Sequence, residues 1–276
     1  MSGPINSSQP WLLTGKIALI TGGSRGIGRA IAEHLAQKGL QKLAITYVSN
    51  KAAADLTLEQ CRSFGVKQAI AIQADVLDTT MGPRVIKEVL DGLGTTTIDI
   101  LVNNAILTDS SKVLPIADTT VDNFDENMRG NVFTPIGLMI AFMEHVPKHG
   151  GRVINISSMA SKMGNRDPIM TYGASKAALD SYTRSFAESF AAERGMTFNS
   201  VSVGPTATQS LKSAMEYMPP GYIDKAIADV TAAPRVGEPE DIAYIVGFLA
   251  SEEGRWVNGA AVSANGGQRQ LLAALG

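Results

Sequence analysis

The chain has 276 residues, of which 45% are hydrophobic, and 24 Lys and Arg residues nearly balance 26 Asp and Glu residues. This length and composition predict one α/β domain, and the absence of a long Lys/Arg run argues against nucleic-acid and membrane partners. One cysteine, Cys61, excludes an internal disulfide framework, and it forms no metal cluster with three scattered histidines. The polar opening, MSGPINSSQP, contains no apolar signal or span. We therefore expect a cytoplasmic protein with a flexible arm over residues 1–14 and a domain over 15–276.

Short apolar runs alternate with longer helical patterns along the chain. The predicted strands are 16–20, 42–48, 69–74, 98–103, 151–157, 197–203 and 260–263. The predicted helices are 26–38, 51–64, 80–92, 121–147, 171–194 and 239–250. Several strand runs, such as KIALI and RVINIS, are apolar almost throughout, which is typical of parallel strands covered on both faces. The sequence thus predicts a single doubly wound (Rossmann) domain with a mostly seven-stranded parallel sheet.

The segment TGGSRGIG follows the first strand run and leads into the first helical pattern. Gly22, Gly26 and Gly28 permit a tight turn that brings backbone N–H groups close to an anion, at the positive end of a helix dipole. The segment predicts a dinucleotide pyrophosphate site, and an ordinary tight turn is the alternative.

The end of the second strand, in the stretch ITYVSNK, contains no Asp or Glu. NAD-binding folds place an acid there for the ribose 2′-hydroxyl. This chain instead offers hydrogen bonds and cations from Tyr47, Ser49, Asn50, Lys51 and, in the glycine turn, Arg25. Such groups suit a 2′-phosphate through charge-assisted hydrogen bonds, so we expect NADP(H) as the cofactor.

Two later segments depart from the simple alternation. Pro135 interrupts the predicted helix 121–147, for which Asp118 or Asp122 is the expected N-cap. The stretch 204–238 is rich in Pro, Met, Ala and Gly and predicts short helices on a long excursion. Such excursions are usually functional, so we expect a substrate lid over about residues 206–232, with permanent core packing as the alternative.

Tyr172 and Lys176 lie one turn apart on one face of the predicted helix 171–194. A neighbouring cation favours the phenolate form and lowers the pKa of a tyrosine, which would suit acid–base chemistry. Ser158 follows the strand RVINIS at the carboxyl edge of the sheet, where doubly wound folds bind ligands. A surface helix pair is the alternative for the Tyr and Lys alone.

Taken together, the motifs resemble those of short-chain dehydrogenase/reductases over residues 15–267. The motifs that carry this resemblance, in the order found in that family, are TGGSRGIG, Asn103-Asn104-Ala105, Asn131, Ser157-Ser158, Tyr172 with Lys176, and NSVSVGPTAT. The segment EEGRWVNG adds a narrower similarity to fungal-type ketone reductases, including hydroxynaphthalene reductases and 17β-hydroxysteroid dehydrogenase.

The resemblance implies catalytic roles for four residues. Tyr172 is the expected general acid, Lys176 lowers its pKa and holds the nicotinamide ribose, and Ser158 positions the carbonyl oxygen. Asn131 would keep a water in line with the lysine, unless it is an ordinary polar residue of its helix. Ser157 is expected to make only a hydrogen bond within the strand end.

The glycine turn and the resemblance together imply a set of cofactor-binding residues. These are Gly22, Ser24, Arg25, Gly26, Ile27, Gly28, Tyr47, Ser49, Asn50, Lys51, Asp75, Val76, Asn103, Asn104, Ala105, Tyr172, Lys176, Gly204, Thr206 and Thr208. Asp75 and Val76 resemble an adenine-binding pair, although Asp75 is also a candidate N-cap before Thr79. No metal site is expected.

Three segments, 106–114, 159–171 and 206–232, are the expected walls of a substrate pocket. Their apolar side chains are Met159, Met163, Met170, Leu211, Met215, Tyr217, Met218 and Tyr222, with Arg166 and Asp167 as polar anchors at the rim. Methionine adapts to irregular shapes, so the sequence predicts an NADPH-dependent ketone reductase/alcohol dehydrogenase for a bulky apolar, polycyclic secondary metabolite. Ordinary core packing is the alternative for the methionines.

Two other classes of function stay open. A non-redox cofactor-binding protein (a scaffold, regulator or cyclase) fits the fold, although it has no need of Ser158, Tyr172 and Lys176. An enoyl reductase fits the serine–tyrosine spacing less well. The resemblance also implies a homotetramer formed through 121–147 and 171–194, where Phe133, Leu138, Phe142, Phe186 and Phe190 supply apolar positions.

Overall fold

The computed structural model describes residues 10–107, 112–216, 218 and 220–272. These residues form a parallel sheet of seven strands in the order β3-β2-β1-β4-β5-β6-β7. The strands are β1 (Ile17–Ile20), β2 (Lys42–Tyr47), β3 (Gln68–Gln73), β4 (Ile100–Asn103), β5 (Gly151–Ser158), β6 (Met196–Val203) and β7 (Ala261–Ala264). The predicted doubly wound domain and its seven strands are confirmed.

Helices cover both faces of this sheet. They are α1 (Gly26–Gln37), α2 (Lys51–Ser63), α3 (Met81–Leu93), α4 (Val121–Met128), α5 (Thr134–Met143), α6 (Met170–Arg194), α7 (Gln209–Met215), α8 (Tyr222–Ala228), α9 (Pro239–Ala250) and α10 (Arg269–Leu272). Among the described residues, none of these helices is long and apolar enough to cross a membrane.

Alternate residues of each strand feed two separate apolar cores, because successive side chains of a strand point to opposite faces. In β1, Ala18 and Ile20 pack with Leu35 of α1 and Val246 of α9. Ile17 and Leu19 pack instead into a cluster that α3, α5 and α6 complete. A strand buried on both faces needs apolar residues at every position, which explains the continuous KIALI run.

The sheet positions the site through its strand order. From β1 the chain passes outward to β2 and β3, and it then returns to β4 on the other side of β1. The carboxyl ends of β1 and β4 therefore border the crevice in which open α/β sheets bind ligands.

The predicted helix 121–147 is broken rather than continuous. A π-helical turn, Arg129–Phe133, separates α4 from α5, and α5 ends at Met143. Pro135 has no N–H to donate to the carbonyl four residues earlier, so the backbone widens just before it. The expected caps Asp118 and Asp122 are wrong, since Thr120 is the N-cap and its Oγ1 accepts from Asn123 N at 3.1 Å.

The last residues of the segment predicted as a flexible arm pack on the domain. Leu13 is buried, and its N–H donates to Lys38 O at 2.8 Å. The Trp11 ring makes an edge contact with Phe248 of α9. Ordered contacts thus begin before residue 15, while residues 1–9 lie outside the described residues.

Candidate active site

The glycine turn has the conformation expected of a phosphate cradle. Gly22 and Gly26 have φ values of +65° and +55°, in the region that glycine adopts most easily. A Cβ on Gly28 would lie 2.3 Å from Gly22 O, so the first turn of α1 approaches the loop more closely than any side chain allows. The turn thus has the glycine-dependent geometry that a phosphate-binding site at the start of α1 requires.

Residues distant in the chain hold this turn in place. Thr21 Oγ1 accepts from the N–H groups of Asn104 and Ala105, both at 2.9 Å. Asn104 Nδ2 donates in return to Thr21 O at 2.9 Å and to Gly22 O at 3.1 Å. The Asn104 side chain thus supports the glycine turn from the end of β4, while Thr21 is a supporting residue absent from the predicted set.

The predicted 2′-phosphate residues differ in their availability. Asn50 caps α2, with its Oδ1 accepting from Ala53 N at 2.9 Å, and Lys51 pairs with Asp55 at 2.7 Å. Tyr47 is buried and Ser49 is exposed. Arg25, which precedes α1, is exposed, and its side chain makes no hydrogen bond or ion pair to the described part of the chain. Arg25 is therefore the cation that can turn to a phosphate without losing a partner.

The remaining predicted cofactor residues border the same crevice. Asp75 Oδ1 accepts from Leu77 N at 2.9 Å, and the N-cap of α3 is Thr80, so the alternative of Asp75 as a helix cap is wrong. Val76 O accepts from Thr134 Oγ1 at 2.6 Å. Asn103 points part of its amide into the sheet, where Nδ2 donates to Asn155 Oδ1 at 2.8 Å.

The segment after β6 lies beside the glycine turn. Thr208 caps α7 by accepting from Leu211 N at 3.1 Å, and a Cβ on Gly26 would lie 3.3 Å from Thr208 Cγ2. Thr206 is buried, and its hydroxyl donates to Gly204 O at 3.0 Å. The predicted residues Gly204, Thr206 and Thr208 are thereby brought to one end of the crevice.

Ser158, Tyr172 and Lys176 meet at the carboxyl end of β5. Ser158 ends the strand and accepts from Ala160 N at 3.2 Å, at the start of a short 3₁₀ turn, Met159–Ser161. Its hydroxyl also lies close enough to the half-buried Tyr172 to lower the pKa of that phenol. Lys176 is buried, its Nζ donates to Ile156 O at 2.9 Å, and it lies 5.9 Å from the centre of the Tyr172 ring.

The ionisation of this pair differs from the expected pattern. Burial raises the pKa of Tyr172, the nearby Ser158 hydroxyl opposes the rise, and the phenol of Tyr222 on α8 adds to it. Burial also lowers the pKa of Lys176 to about 8, against the field of Asp180. The protein groups alone therefore keep Tyr172 protonated, contrary to the lowered pKa that the neighbouring cation predicts.

Asn131 lies in the π-helical turn, buried against α6. Its Oδ1 accepts from Leu107 N at 3.2 Å, and its Nδ2 donates to Ser175 Oγ at 3.2 Å. Ser175 in turn donates to Tyr172 O at 2.7 Å. Asn131 is thus more than a polar residue on a helix face, because it joins the loop after β4 to the turn of α6 that carries Tyr172. Ser175 is a site residue missed from the sequence, although it lies between Tyr172 and Lys176.

Ser157 and Ser158 point to opposite faces of the sheet. Ser157 is buried, and its hydroxyl makes no hydrogen bond within the described residues. The hydrogen bond expected of Ser157 is therefore not found, but the choice of Ser158 as the serine beside Tyr172 agrees with the geometry.

The predicted lid buries few side chains, although backbone hydrogen bonds from Thr231 and Ala232 to Gly266 O join its end to the domain. Neither α7 nor α8 contains a buried residue. The predicted pocket side chains that the structure describes are likewise not buried: Met159, Met163, Met170, Leu211, Met215, Met218 and Tyr222. Ordinary core packing is therefore the wrong description of these residues. Tyr217 and residues 108–111 of the predicted wall lie outside the described residues.

The rim residues Arg166 and Asp167 are both exposed. Asp167 Oδ1 accepts from Ile116 N at 2.9 Å, which joins the loop before α6 to the segment before α4. Asp167 therefore has a local structural partner, whereas Arg166 is the more available polar anchor.

Comparison with known proteins gives a consistent set of relatives. A family model described as enoyl-(acyl carrier protein) reductase matches residues 22–269. Short chain dehydrogenase penD of Penicillium thymicola is 58% identical over 98% of this chain and 97% of its own. Hydroxynaphthalene reductase arp2 of Aspergillus fumigatus is 35% identical over 90% of each chain. A short chain dehydrogenase from Burkholderia cenocepacia, solved in complex with NADP, has a TM-score of 0.81 and 34% identity, over 92% of this chain and 98% of its own.

Proposed function

Because this chain belongs to the short-chain dehydrogenase/reductase family of oxidoreductases, we propose that it is an NADPH-dependent carbonyl reductase acting on a bulky apolar ketone. The observation that carries the proposal is the meeting of Ser158, Tyr172 and the buried Lys176 at the carboxyl end of β5, on the same edge of the sheet as the glycine turn. A protein that only binds a cofactor needs the turn but not these three side chains.

The glycine turn fits a dinucleotide, since its backbone leaves no room for a Cβ at Gly28. The Gly22–Gly28 turn would hold the pyrophosphate, Asp75 and Val76 the adenine, and Lys176 the nicotinamide ribose. Arg25 would select the 2′-phosphate, and the Burkholderia relative was solved with NADP. When bound, this cofactor supplies a hydride to the carbonyl carbon.

Tyr172 supplies the proton in the proposed reduction. Because burial raises its pKa, the phenol is protonated at neutral pH and can donate to the carbonyl oxygen as negative charge develops there. Ser158 Oγ holds that oxygen beside the phenol by a hydrogen bond. The Lys176 ammonium then stabilises the tyrosinate that remains.

Asn131 and Ser175 position the proton donor. Asn131 binds Ser175 of α6 through its Nδ2 and Leu107 N through its Oδ1, so the first turn of α6 cannot move away from the loop after β4 without breaking one of these hydrogen bonds. Pro135 has no N–H, so the Asn131 carbonyl lacks the donor that an α-helix would supply four residues later. We infer that this carbonyl holds a water in line with Lys176, through which the proton is replaced.

The pocket walls favour a bulky apolar substrate. Met163 and Met170, on either side of the loop that precedes Tyr172, are not buried, and Met215 and Leu211 on α7 are likewise available to cover a ligand. Methionine side chains fit irregular polycyclic shapes. The relative named hydroxynaphthalene reductase supports a fused aromatic ketone from secondary metabolism as the substrate class.

The test replaces the proposed acid and a matched tyrosine on the same helix. Tyr172→Phe should lower the turnover of a polycyclic ketone by about 10²-fold or more, with NADPH affinity nearly unchanged, since positioned acid catalysis contributes at least that factor. Tyr182→Phe, at an exposed position of α6, should keep full activity. Turnover above about a tenth of wild type in the Tyr172 variant would exclude the phenol as the main acid.

Substrate and cofactor controls separate the other functions. The same assay should include an enoyl thioester, because the matched family model is described by enoyl reduction. Reduction of the enoyl substrate and not of ketones would favour an enoyl reductase. NADPH binding without turnover of either class would favour a non-redox protein.

A further inference from the structure

A buried carboxylate lies one helical turn beyond Lys176. Asp180 is 4% exposed and Lys176 is 2% exposed. The spacing of four residues places both side chains on one face of α6. A buried carboxylate is unfavourable unless it is paired or hydrogen-bonded, so the position of Asp180 beside a buried ammonium is physically informative.

The two carboxylate oxygens of Asp180 have different surroundings. Its Oδ2 accepts from Ser161 Oγ at 2.6 Å, and Oδ1 is buried without a hydrogen bond from the described residues. Ser161 ends the 3₁₀ turn that begins directly after Ser158. Asp180 therefore joins the turn that carries Ser158 to the helix that carries Tyr172 and Lys176.

We propose that Asp180 is a positioning residue, which keeps Lys176 in its ammonium form and holds the Ser158 turn against α6. Its negative charge stabilises the ammonium, whereas burial favours the neutral amine. Its bond to Ser161 fixes the distance between Ser158 and the side chains of α6. The effect of Asp180 on catalysis rests on the proposed reductase function, but its effect on Lys176 ionisation does not.

The other groups around Lys176 do not supply this charge. The polar groups that contacts place next to Lys176 or Asp180 are Ile156 O of β5, Ser161 of the turn after β5 and Tyr172 of α6. The Lys162 ammonium donates to Ala261 O at 3.4 Å. Among the described residues, Asp180 is the charge that raises the pKa of Lys176 against the effect of burial.

Direct titration of Lys176 tests the proposal without any substrate. In protein labelled with ¹³C-lysine, the Lys176 signal is assigned by its loss in Lys176→Arg. It should titrate near the pKa of about 8 expected for the wild type. In the neutral variants Asp180→Asn and Asp180→Ser, the Lys176 pKa should fall, since burial then acts on the ammonium without the opposing negative charge.

Two variants separate the charge from the hydrogen bond. Asp180→Glu keeps the charge and should restore the wild-type titration of Lys176. Ser161→Ala removes the hydrogen bond, so it should leave the Lys176 pKa unchanged and lower ketone turnover. An unchanged Lys176 pKa in either neutral variant that melts like a folded protein would overturn the proposal, and so would equal pKa shifts in Asp180→Asn and Asp180→Glu.

The kinetic arm follows the same order. The ammonium is lost as pH rises, so the alkaline limb of the pH–rate profile should move to lower pH in Asp180→Asn and stay in place in Asp180→Glu. An alkaline limb that stays in place in Asp180→Asn would show that Asp180 has no part in setting the working state of Lys176. Absence of ketone reduction by the wild type would contradict the proposed function while the titration of Lys176 still tests Asp180.

Discussion

Replacing Gly28 by alanine should disrupt the glycine turn, and the structure sets the magnitude. The new Cβ would lie 2.3 Å from Gly22 O, where ordinary contacts begin at 3.4 Å, so the backbone must move by roughly 1 Å. Overpacking of this kind costs about 1–3 kcal/mol. Displacing Gly22 O also weakens its hydrogen bond from Asn104 Nδ2, a further loss of about 1 kcal/mol, while the better helix propensity of alanine returns about 1 kcal/mol.

The expected net loss in the free energy of unfolding is therefore about 1–3 kcal/mol, measured by urea denaturation. Fluorescence titration should also show an NADPH affinity at least tenfold lower, which corresponds to a loss of about 1.4 kcal/mol in binding free energy. Gly137→Ala is the matched control, because Gly137 also lies in a helix and an added Cβ would meet nothing within 4 Å. Equal stability and equal NADPH affinity in the two variants would refute the close-approach argument.

Three further predictions concern cofactor choice, the lid and assembly. Arg25→Ala should weaken NADPH binding by about tenfold and leave NADH binding unchanged, and Arg29→Ala should change neither, because Arg29 already pairs with Glu33. Equal losses for both cofactors in calorimetry would contradict the 2′-phosphate assignment. Met215→Ala should weaken the binding of bulky ketones by about 1–3 kcal/mol and leave NADPH binding unchanged. Hydrogen exchange over α7 and α8 should slow when cofactor and substrate analogue bind, and strong protection in the free protein would rule out closure. Light scattering should show that Phe133→Glu dissociates the homotetramer, because Phe133 is 56% exposed on the proposed interface, whereas Leu56→Glu, at a position 58% exposed on α2, should leave it assembled. A monomeric wild type would refute the tetramer.

The apolar residues expected to support that tetramer divide into two groups. Leu138, Phe142 and Phe186 are buried in the core of the single chain, while Phe133 is exposed. A helix that covers a sheet buries most of its apolar face against that sheet. Helical periodicity alone does not tell which apolar residue lies on the outer side; of the five residues, Phe133 is exposed and Phe190 is half-buried.

Features that depend on neighbours in the sequence were predicted well. Strands buried on both faces require unbroken apolar runs, the glycine turn requires residues without side chains, and the four-residue spacing of Tyr172 and Lys176 places them on one helix face. These patterns determined the doubly wound fold and the region of the site, because each rests on local backbone geometry.

Features that depend on partners far along the chain were decided by the tertiary structure alone. Thr21 meets Asn104 across 83 residues, and Ser161 meets Asp180 across 19. The direction of the Tyr172 pKa follows from the burial that the packed domain imposes and from Tyr222, not from the lysine one turn away. Burial and the partners of a side chain are set by elements that assemble around it, so no local pattern in the sequence contains them.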